Sequence, residues 1–476
     1  MKILHISAEC FPVAKVGGLA DVVGALPKYL NDLGEEAMVI MPFYKNSFIQ
    51  QHQFQVVYQS NINIEGTEFN FEVLAPTSFN VGFSIYLISI PFLLSVNYVY
   101  SHDDLDRFFA FQMSALNWLK TWHKKPDVIH CHDHHAALIP FLISQCYLYE
   151  DLKDIATVLT IHNAEYQGWF SHQRIGMFPM FPFNKVGLLD WYGMINPLAI
   201  AIKVADKVTT VSPNYLQELM HRANGLEGLL RTESYKCVGI LNGIDTDIWN
   251  PETDEHLIEN YSLKTVEWGK QANKNWLCKE YHLDPSKPLI VFIGRLVGHK
   301  GADLLATAFE WALYKPEVSI FLLGNGEESI EIRQNQLKNS YYSNFNCYIG
   351  YSEQLAHRIY AAADFIVIPS RVEPCGLNQL YAMRYGAIPI VTKVGGLKDT
   401  VVDVLEPNGF GICMEAINEG TIAHSMWRAF ELYQNKDRFF SLRIQVMNKN
   451  HSWDASAKEY MKLYRSIYQR ENELKS

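Results

Sequence analysis

Three glycine-bearing segments carry charged residues where a chain could grip an anionic ligand. In Lys15-Val16-Gly17-Gly18-Leu19 a lysine precedes two glycines at the start of a helical pattern. That arrangement suits a phosphate or a sugar hydroxyl, because glycines let backbone pass close to a ligand and a helix start attracts anions. A tight turn with a solvated lysine is the plainer alternative, and the P-loop pattern G-x-x-x-x-G-K-[ST] is absent. Gly294-Arg295-Leu296-Val297-Gly298-His299-Lys300-Gly301 sets two cations on one loop beside free amides, which fits a diphosphate clamp. An exposed basic pair would read the same way. In Ser370-Arg371-Val372-Glu373-Pro374-Cys375-Gly376-Leu377-Asn378 a proline pre-sets the start of a helix, so amides around Gly376 and Leu377 could receive phosphate oxygens. The Glu373 carboxylate could then accept from sugar or ribose hydroxyls, or simply compensate the helix dipole.

Histidines form the other group. His130-Cys131-His132-Asp133-His134-His135 invites a metal, but alternation along a strand puts His130 and His132 on one face and Asp133 on the other. No second His/Asp/Glu cluster stands out, so the segment reads better as a polar cleft wall at a strand's carboxyl end. Thr160-Ile161-His162-Asn163 closes another strand. His162 could be a core histidine, but Asn163 and Glu165 beside it favour the cleft. Gly324-Asn325-Gly326-Glu327-Glu328-Ser329 lacks the third glycine of the dinucleotide fingerprint, and no G-x-S-x-G elbow is present.

The elements that must position these residues follow from hydropathy. At 476 residues the chain needs two or three cores, and 48% hydrophobic with 19% charged residues excludes disorder or coiled coil as the main architecture. A net charge of −10 gives no support to nucleic-acid binding. The eight cysteines are scattered without C-x-x-C, which points to a reducing, cytoplasmic setting, and Met1-Lys2-Ile3 runs straight into a strand with no targeting segment. The uncharged stretch from Val73 to Ser101 is interrupted by Pro76, Asn80, Gly82, Pro91 and Asn97, against a membrane span.

Apolar runs at Ile3–Ser7, Ala37–Met41, Val128–Cys131, Val158–Ile161, Val208–Val211 and Val238–Leu241 alternate with amphipathic runs. The pattern breaks at Asn242-Gly243 into a polar stretch reaching about Lys287. It restarts at Leu289–Ile293, Ser319–Leu323, Cys347–Ile349, Phe365–Pro369, Ile388–Val391 and Gly411–Cys413. This predicts an α/β protein with two doubly wound, Rossmann-like domains, residues 1–245 and 246–453, and a final helix over 454–474 with Tyr460, Leu463, Tyr464 and Ile467 on one stripe. Lys15-Val16-Gly17-Gly18-Leu19-Ala20-Asp21 recurs as Lys393-Val394-Gly395-Gly396-Leu397-Lys398-Asp399. The echo is either a second ligand loop or a similar turn in a similar domain.

Taken together, these segments resemble bacterial glycogen synthases and the plant starch synthases over nearly the whole chain. The residues that carry the likeness are Lys15 to Asp21, His132-Asp133-His134-His135, His162-Asn163 with Tyr166-Gln167-Gly168, Val211-Ser212-Pro213, Leu241-Asn242-Gly243-Ile244-Asp245, Gly294-Arg295-Leu296, Lys300-Gly301 and Pro369 to Leu377. The resemblance implies the GT-B-type fold, with the two domains facing across a cleft and the last helix crossing back to the first. It implies glucose transfer from ADP-glucose to the non-reducing end of an α-1,4-glucan such as glycogen, with retention, and with neither metal nor cofactor.

In such enzymes Lys15, Gly17, Gly18 and Asp21 would contact the donor, as would Asn242, Cys375, Gly376 and Leu377; Tyr351, read from its place at a strand's carboxyl end, could stack on the donor base or be a core tyrosine. Arg295 and Lys300 would hold the diphosphate, Glu373 the glucose, and His162 the sugar site, its carbonyl facing developing positive charge. Glu9, Asp133 and Asn163 would lie on the acceptor side. Asn378 and His134 depart from the family's usual threonine and aromatic, which touches donor and acceptor detail. The missing plastid extension favours the bacterial branch. A cytoplasmic enzyme is expected, with no nucleic-acid or membrane partner; a homo-oligomer is compatible with the sequence.

Overall fold

The computed structural model describes residues 1–314 and 317–475, the last eight of these by backbone alone. The chain divides into two compact units, Met1–Asn242 with Trp453–Ser476, and Gly243–Ser452.

Unit 1 contains β1 (Lys2–Ile6), β2 (Glu36–Pro42), β3 (Phe54–Ile64), β4 (Thr67–Pro76), β5 (Ser84–Ser89), β6 (Val128–His132) and β7 (Ala156–Ile161). Short strands β8 (Phe170–Ser171), β9 (Asp190–Trp191) and β10 (Met194–Ile195) follow, then β11 (Lys207–Thr210) and β12 (Cys237–Gly239). The main sheet runs β12-β11-β7-β6-β1-β2-β5-β4-β3, and β8-β10-β9 form a small sheet of their own. From β12 to β5 every pairing is parallel. β1, β6 and β7 are buried almost throughout, as expected for strands covered on both faces. The sheet is not parallel throughout, however: β3 and β4 add an antiparallel edge. Glu65 (φ 50°) and Gly66 (φ 84°) make the two-residue turn between them, the left-handed pair that matches strand twist.

The helix Trp453–Lys475 belongs to this unit. Trp453, Tyr460, Tyr464 and Ile467 share a core with Ile3, Val22, Leu26 and Leu30.

Unit 2 contains β13 (Leu289–Ile293), β14 (Ser319–Gly324), β15 (Phe345–Ile349), β16 (Phe365–Ile368), β17 (Ile388–Thr392) and β18 (Ile412–Met414). They are ordered β15-β14-β13-β16-β17-β18 and all parallel. The stretch read as polar as far as Lys287 holds a helix, Val266–Glu280. Its inward face carries Gly269, Lys270, Asn273 and Lys274. Lys270 Nζ donates to the carbonyls of Tyr360 (3.1 Å), Ala361 (3.0 Å) and Tyr385 (2.8 Å). Lys274 meets Asp364 at 2.7 Å.

Each main sheet reverses its winding once. In unit 1 the chain leaves β1 for β2 on one side, while β6 sits on the other; in unit 2 β14 and β16 flank β13. Open α/β sheets receive ligands at the carboxyl ends of the strands flanking such a reversal. The loops that start there are Ser7 to Gly17, Asp133 to His135, Gly294 to Gly301 and Pro369 to Leu377.

Candidate active site

In unit 1 the loop after β1 is organised by Glu9, which is almost fully buried. One carboxylate oxygen accepts from the amides of Val16 and Gly17 (3.0 Å for the latter), and the other accepts from the Tyr100 hydroxyl. Burial raises the Glu9 pKa against the pull of those bonds. Glu9 therefore acts through the shape of the loop, since both its oxygens are engaged by protein. Tyr100, which no sequence signal marked, completes that anchor. On the loop itself Lys15 Nζ meets Asp21 Oδ1 at 2.7 Å. A Cβ added at Gly17 or Gly18 would meet no atom within 4 Å, so the space beside these glycines is open to a ligand. Asn242, the last residue of the unit's first segment, is buried, and its side-chain oxygen has no hydrogen-bond partner among the described residues.

Asp133 takes a left-handed conformation (φ 55°) just beyond β6. Its Oδ1 accepts from the amides of His162 (2.7 Å) and Asn163 (3.4 Å), tying the ends of β6 and β7 together. Burial lifts its pKa from 3.8 to about 7. Asn163 in turn caps the turn that follows, accepting from the Glu165 amide at 3.0 Å. His134, the departure from the usual aromatic, lies against His135 with ring centroids 3.7 Å apart and planes tilted by 38°, and it closes against Gly168, where a Cβ would lie 2.7 Å from its ring.

The cleft-wall expectation needs correction for two histidines. His130 and His132 have no exposed surface. His130 bonds the Tyr464 hydroxyl (2.8 Å) and Thr160 (2.6 Å). His132 bonds His162 Nε2 through Nδ1 (2.9 Å) and His5 Nδ1 through Nε2 (3.0 Å). The ligand atoms of His5, His130 and His132 lie within 4.8 Å of one another. Both nitrogens of His130 and of His132 are already engaged, and the group contains no carboxylate, so this donor set is built for hydrogen bonding rather than for a cation. Burial depresses the pKa of all four rings, His5 and His162 to about 3, so they are neutral at physiological pH. His5 could have been found from pairing register, because it sits opposite His130 on neighbouring parallel strands.

In unit 2 the two loops at the reversal are pressed together. A Cβ at Gly301 (φ 69°) would lie 2.1 Å from the Pro369 carbonyl oxygen. Arg371 donates its amide to the His299 carbonyl (2.8 Å) and forks onto Asp303 (2.6 and 2.9 Å). This clamp holds Lys300 against Glu373, with Nζ 2.7 Å from Oε1 and 2.6 Å from Oε2. Ser370 Oγ donates to Oε2 at 2.8 Å. Arg295 is exposed, its guanidinium 3.1 Å from His299.

Gly376 (φ 73°) turns the chain into the helix Asn378–Arg384, with Leu377 as its first cap residue. Cys375 is buried beneath. Asn378 donates to the Ile293 carbonyl at 2.7 Å, pinning that helix start to the end of β13. The departure from threonine thus has a structural partner. Tyr351 is 73% exposed, its hydroxyl 3.3 Å from Glu353. The second glycine pair is not open: Cβ atoms at Gly395 and Gly396 would lie 1.9 Å and 2.0 Å from the carbonyl oxygens of Glu373 and Cys375. Those glycines support the glutamate loop by close packing. Gly324 and Gly326 likewise admit the carbonyls of Gly294 and Leu296, which accounts for the incomplete dinucleotide pattern.

Two doubly wound α/β units with basic, glycine-rich loops at their sheet reversals form the architecture of the GT-B glycosyltransferases. Residues 2–232 match the family model described as the starch synthase catalytic domain, and residues 277–436 match that of glycosyl transferases group 1. The glycogen synthase of Flavobacterium johnsoniae is 48% identical, over 98% of this chain and 100% of the relative. That of Thermodesulfovibrio yellowstonii is 37% identical, over 98% of each. The catalytic domain of starch synthase IV from Arabidopsis thaliana, solved bound to ADP and acarbose, is 34% identical with a TM-score of 0.88, covering 98% of this chain and 99% of that one. The chain belongs to the glycogen and starch synthase family of glycosyltransferases. No helix among the described residues is long and apolar enough to cross a membrane.

Proposed function

We propose that the protein transfers glucose from ADP-glucose to the non-reducing end of an α-1,4-glucan such as glycogen, with retention of anomeric configuration. The observation that carries this reading is the Lys300–Glu373–Ser370 cluster at the reversal of the unit 2 sheet, beside the exposed Arg295. As the bond from glucose to phosphate lengthens, negative charge grows on the diphosphate and positive charge on the sugar ring. Arg295 and Lys300 answer the first, and preorganised donors act most strongly where charge develops. The amides of Gly376 and Leu377 add to them, over the buried Cys375.

From unit 1, Lys15 with Gly17, Gly18 and Asp21 addresses the phosphates and sugar of the donor, and Asn242 offers its unpartnered oxygen. His162 lines the sugar site, its carbonyl facing the developing positive charge. Tyr351 gives the adenine a stacking face. Asp133 and Asn163 serve the acceptor side, and Glu9 shapes the loop that borders it.

Glu373 accepts from the glucose hydroxyls rather than attacking the sugar. Lys300 and Ser370 already engage its two oxygens, which makes it a poor nucleophile, and a retaining double displacement also needs a second carboxylate ~5 Å away. Transfer on the same face as the departing phosphate, without a glucosyl-enzyme, is the mechanism that fits. Lys15, Arg295 and Lys300 supply the counter-charge for which other enzymes use a divalent ion. The eight free cysteines accord with a reducing cytoplasm.

The test is transfer to glycogen from ADP-glucose and from UDP-glucose, with the product linkage read by NMR. We expect new α-1,4 linkages and a higher kcat/KM for ADP-glucose; equal or better use of UDP-glucose overturns the donor assignment. Activity should survive chelator, and its full loss with rescue by one divalent ion would overturn the metal-free mechanism.

A further inference from the structure

The hydrogen bonds among His5, His132 and His162 have a direction, and that direction reaches the sugar site. Each neutral imidazole carries one N–H, so it can donate at one nitrogen and accept only at the other. His132 uses both nitrogens, toward His162 at 2.9 Å and toward His5 at 3.0 Å. The two bonds must therefore run the same way along the row. The far end decides which way. His5 Nε2 is buried with no partner among the described residues, and a buried N–H is left unpaired more rarely than a buried acceptor. The proton of His5 then belongs on Nδ1, donating to His132. His132 donates from Nδ1 to His162 Nε2, and His162 keeps its own proton on Nδ1. Packing holds the row in place: the His132 ring stacks on His130 (centroids 4.3 Å, 25° between planes) and on His5 (5.3 Å, 21°).

We propose that His132 is a positioning residue which, held by His5, fixes His162 in the tautomer with its proton on Nδ1, so that the ring offers an N–H donor to a hydroxyl oxygen of the sugar. The inference rests on the reading of His162 as a sugar-site residue. A site built to donate to a hydroxyl distinguishes sugars by that hydroxyl, because a donor left unpaired in a closed site is costly.

The tautomer can be read directly in the full-length protein labelled with [15N]histidine. Two-bond 15N–1H correlations separate protonated from bare ring nitrogens, and the His162 signals are those missing from His162→Asn. We expect a protonated Nδ1 and a bare Nε2 on His162. In kinetics, His132→Phe keeps the ring and removes both bonds. It should lower kcat/KM for ADP-glucose at least tenfold, with the KM for glycogen within threefold. Among deoxy-glucose analogues of the donor, the one that His162→Asn handles as well as the wild type should also be handled within threefold by His132→Phe. Should His132→Phe fail to fold, His5→Phe, which leaves His132 and His162 in contact, should still cost threefold or more. A bare Nδ1 on wild-type His162, or His132→Phe within threefold of wild type on ADP-glucose, overturns the positioning role. If His162→Asn itself stays within threefold of wild type, the sugar-site reading falls, and the inference with it. An impaired His162→Asn beside a bare wild-type Nδ1 removes only the inference.

Discussion

Asp133 offers a test in which stability and activity should move in opposite directions. The residue is 8% exposed, and burial, reinforced by the Glu9 charge, lifts its pKa from 3.8 to about 7 against two backbone hydrogen bonds. Tyr100 and Tyr215 also feel its charge, and neither is a cation that could offset it. In the unfolded chain the group has its ordinary value. Between about pH 4 and pH 7 the folded protein thus holds a proton that the unfolded chain has lost, and stability falls as pH rises through that window. The whole difference corresponds to roughly 4 kcal/mol, of which about 2–3 kcal/mol is lost between pH 5 and pH 8. Asp133→Asn keeps an oxygen for the His162 amide and never ionises. Its stability relative to wild type should therefore rise by roughly 2–3 kcal/mol from pH 5 to pH 8. Urea unfolding at the two pH values measures this as a change in midpoint at constant slope. Transfer to glycogen by the same variant should fall, because the acceptor-side role proposed for Asp133 uses a carboxylate that is kept at a cost in stability. Parallel pH dependence in the two proteins, or a variant that weakens relative to wild type as pH rises, refutes the argument.

Arg295→Ala and Lys300→Ala should each lower kcat/KM by roughly 2.7–4 kcal/mol, the scale of one lost preorganised donor; less than tenfold loss in both would remove them from the diphosphate. Lys300→Ala also strips Glu373 of its ion pair, so its effect should be non-additive with Glu373→Gln in a double-mutant cycle. Gly17→Ala should leave the melting temperature unchanged, since its Cβ meets nothing, yet weaken donor binding; Gly396→Ala, whose Cβ would lie 2.0 Å from the Cys375 carbonyl oxygen, should destabilise unit 2 by roughly 1–3 kcal/mol or more. Tyr351→Ala should cost ~1–3 kcal/mol in ADP-glucose binding, measured by calorimetry, if its exposed ring stacks on the base. No glucose should be found on Glu373 or Asp21 by mass spectrometry of enzyme quenched during turnover.

The sheets were legible because parallel strands buried on both faces read as near-continuous apolar runs, as Phe365–Pro369 does and as Val128–Cys131 does apart from His130. The glycine-rich loops after strands were legible as places a ligand could approach, whereas the strand order that sets such loops at the sheet reversals came from the structure alone. The helix Val266–Glu280 was hidden by its own buried face. Lys270 and Lys274 stand where an apolar stripe would have announced a helix, and their partners include carbonyls and an aspartate 90 or more positions away. The edge hairpin was hidden differently: β3 is largely exposed, so it lacks the strict alternation of a half-buried strand.

At the candidate site, local spacing named residues more readily than it named their partners. Lys15-Val16-Gly17-Gly18-Leu19 and its echo at Lys393 are identical as strings, and both open a helix after a strand. What separates them is what lies opposite: open space in one case, the backbone of the glutamate loop in the other. Glycine permits a close approach without saying what approaches, so identical letters border open space once and serve loop-to-loop packing once. The histidine row follows the same logic in reverse. His5, His132 and His162 are separated by 127 and 30 positions, yet strand order in the sheet brings their rings into line. A residue type identifies which chemistry is available at a position, and the strand order decides which other residue completes it.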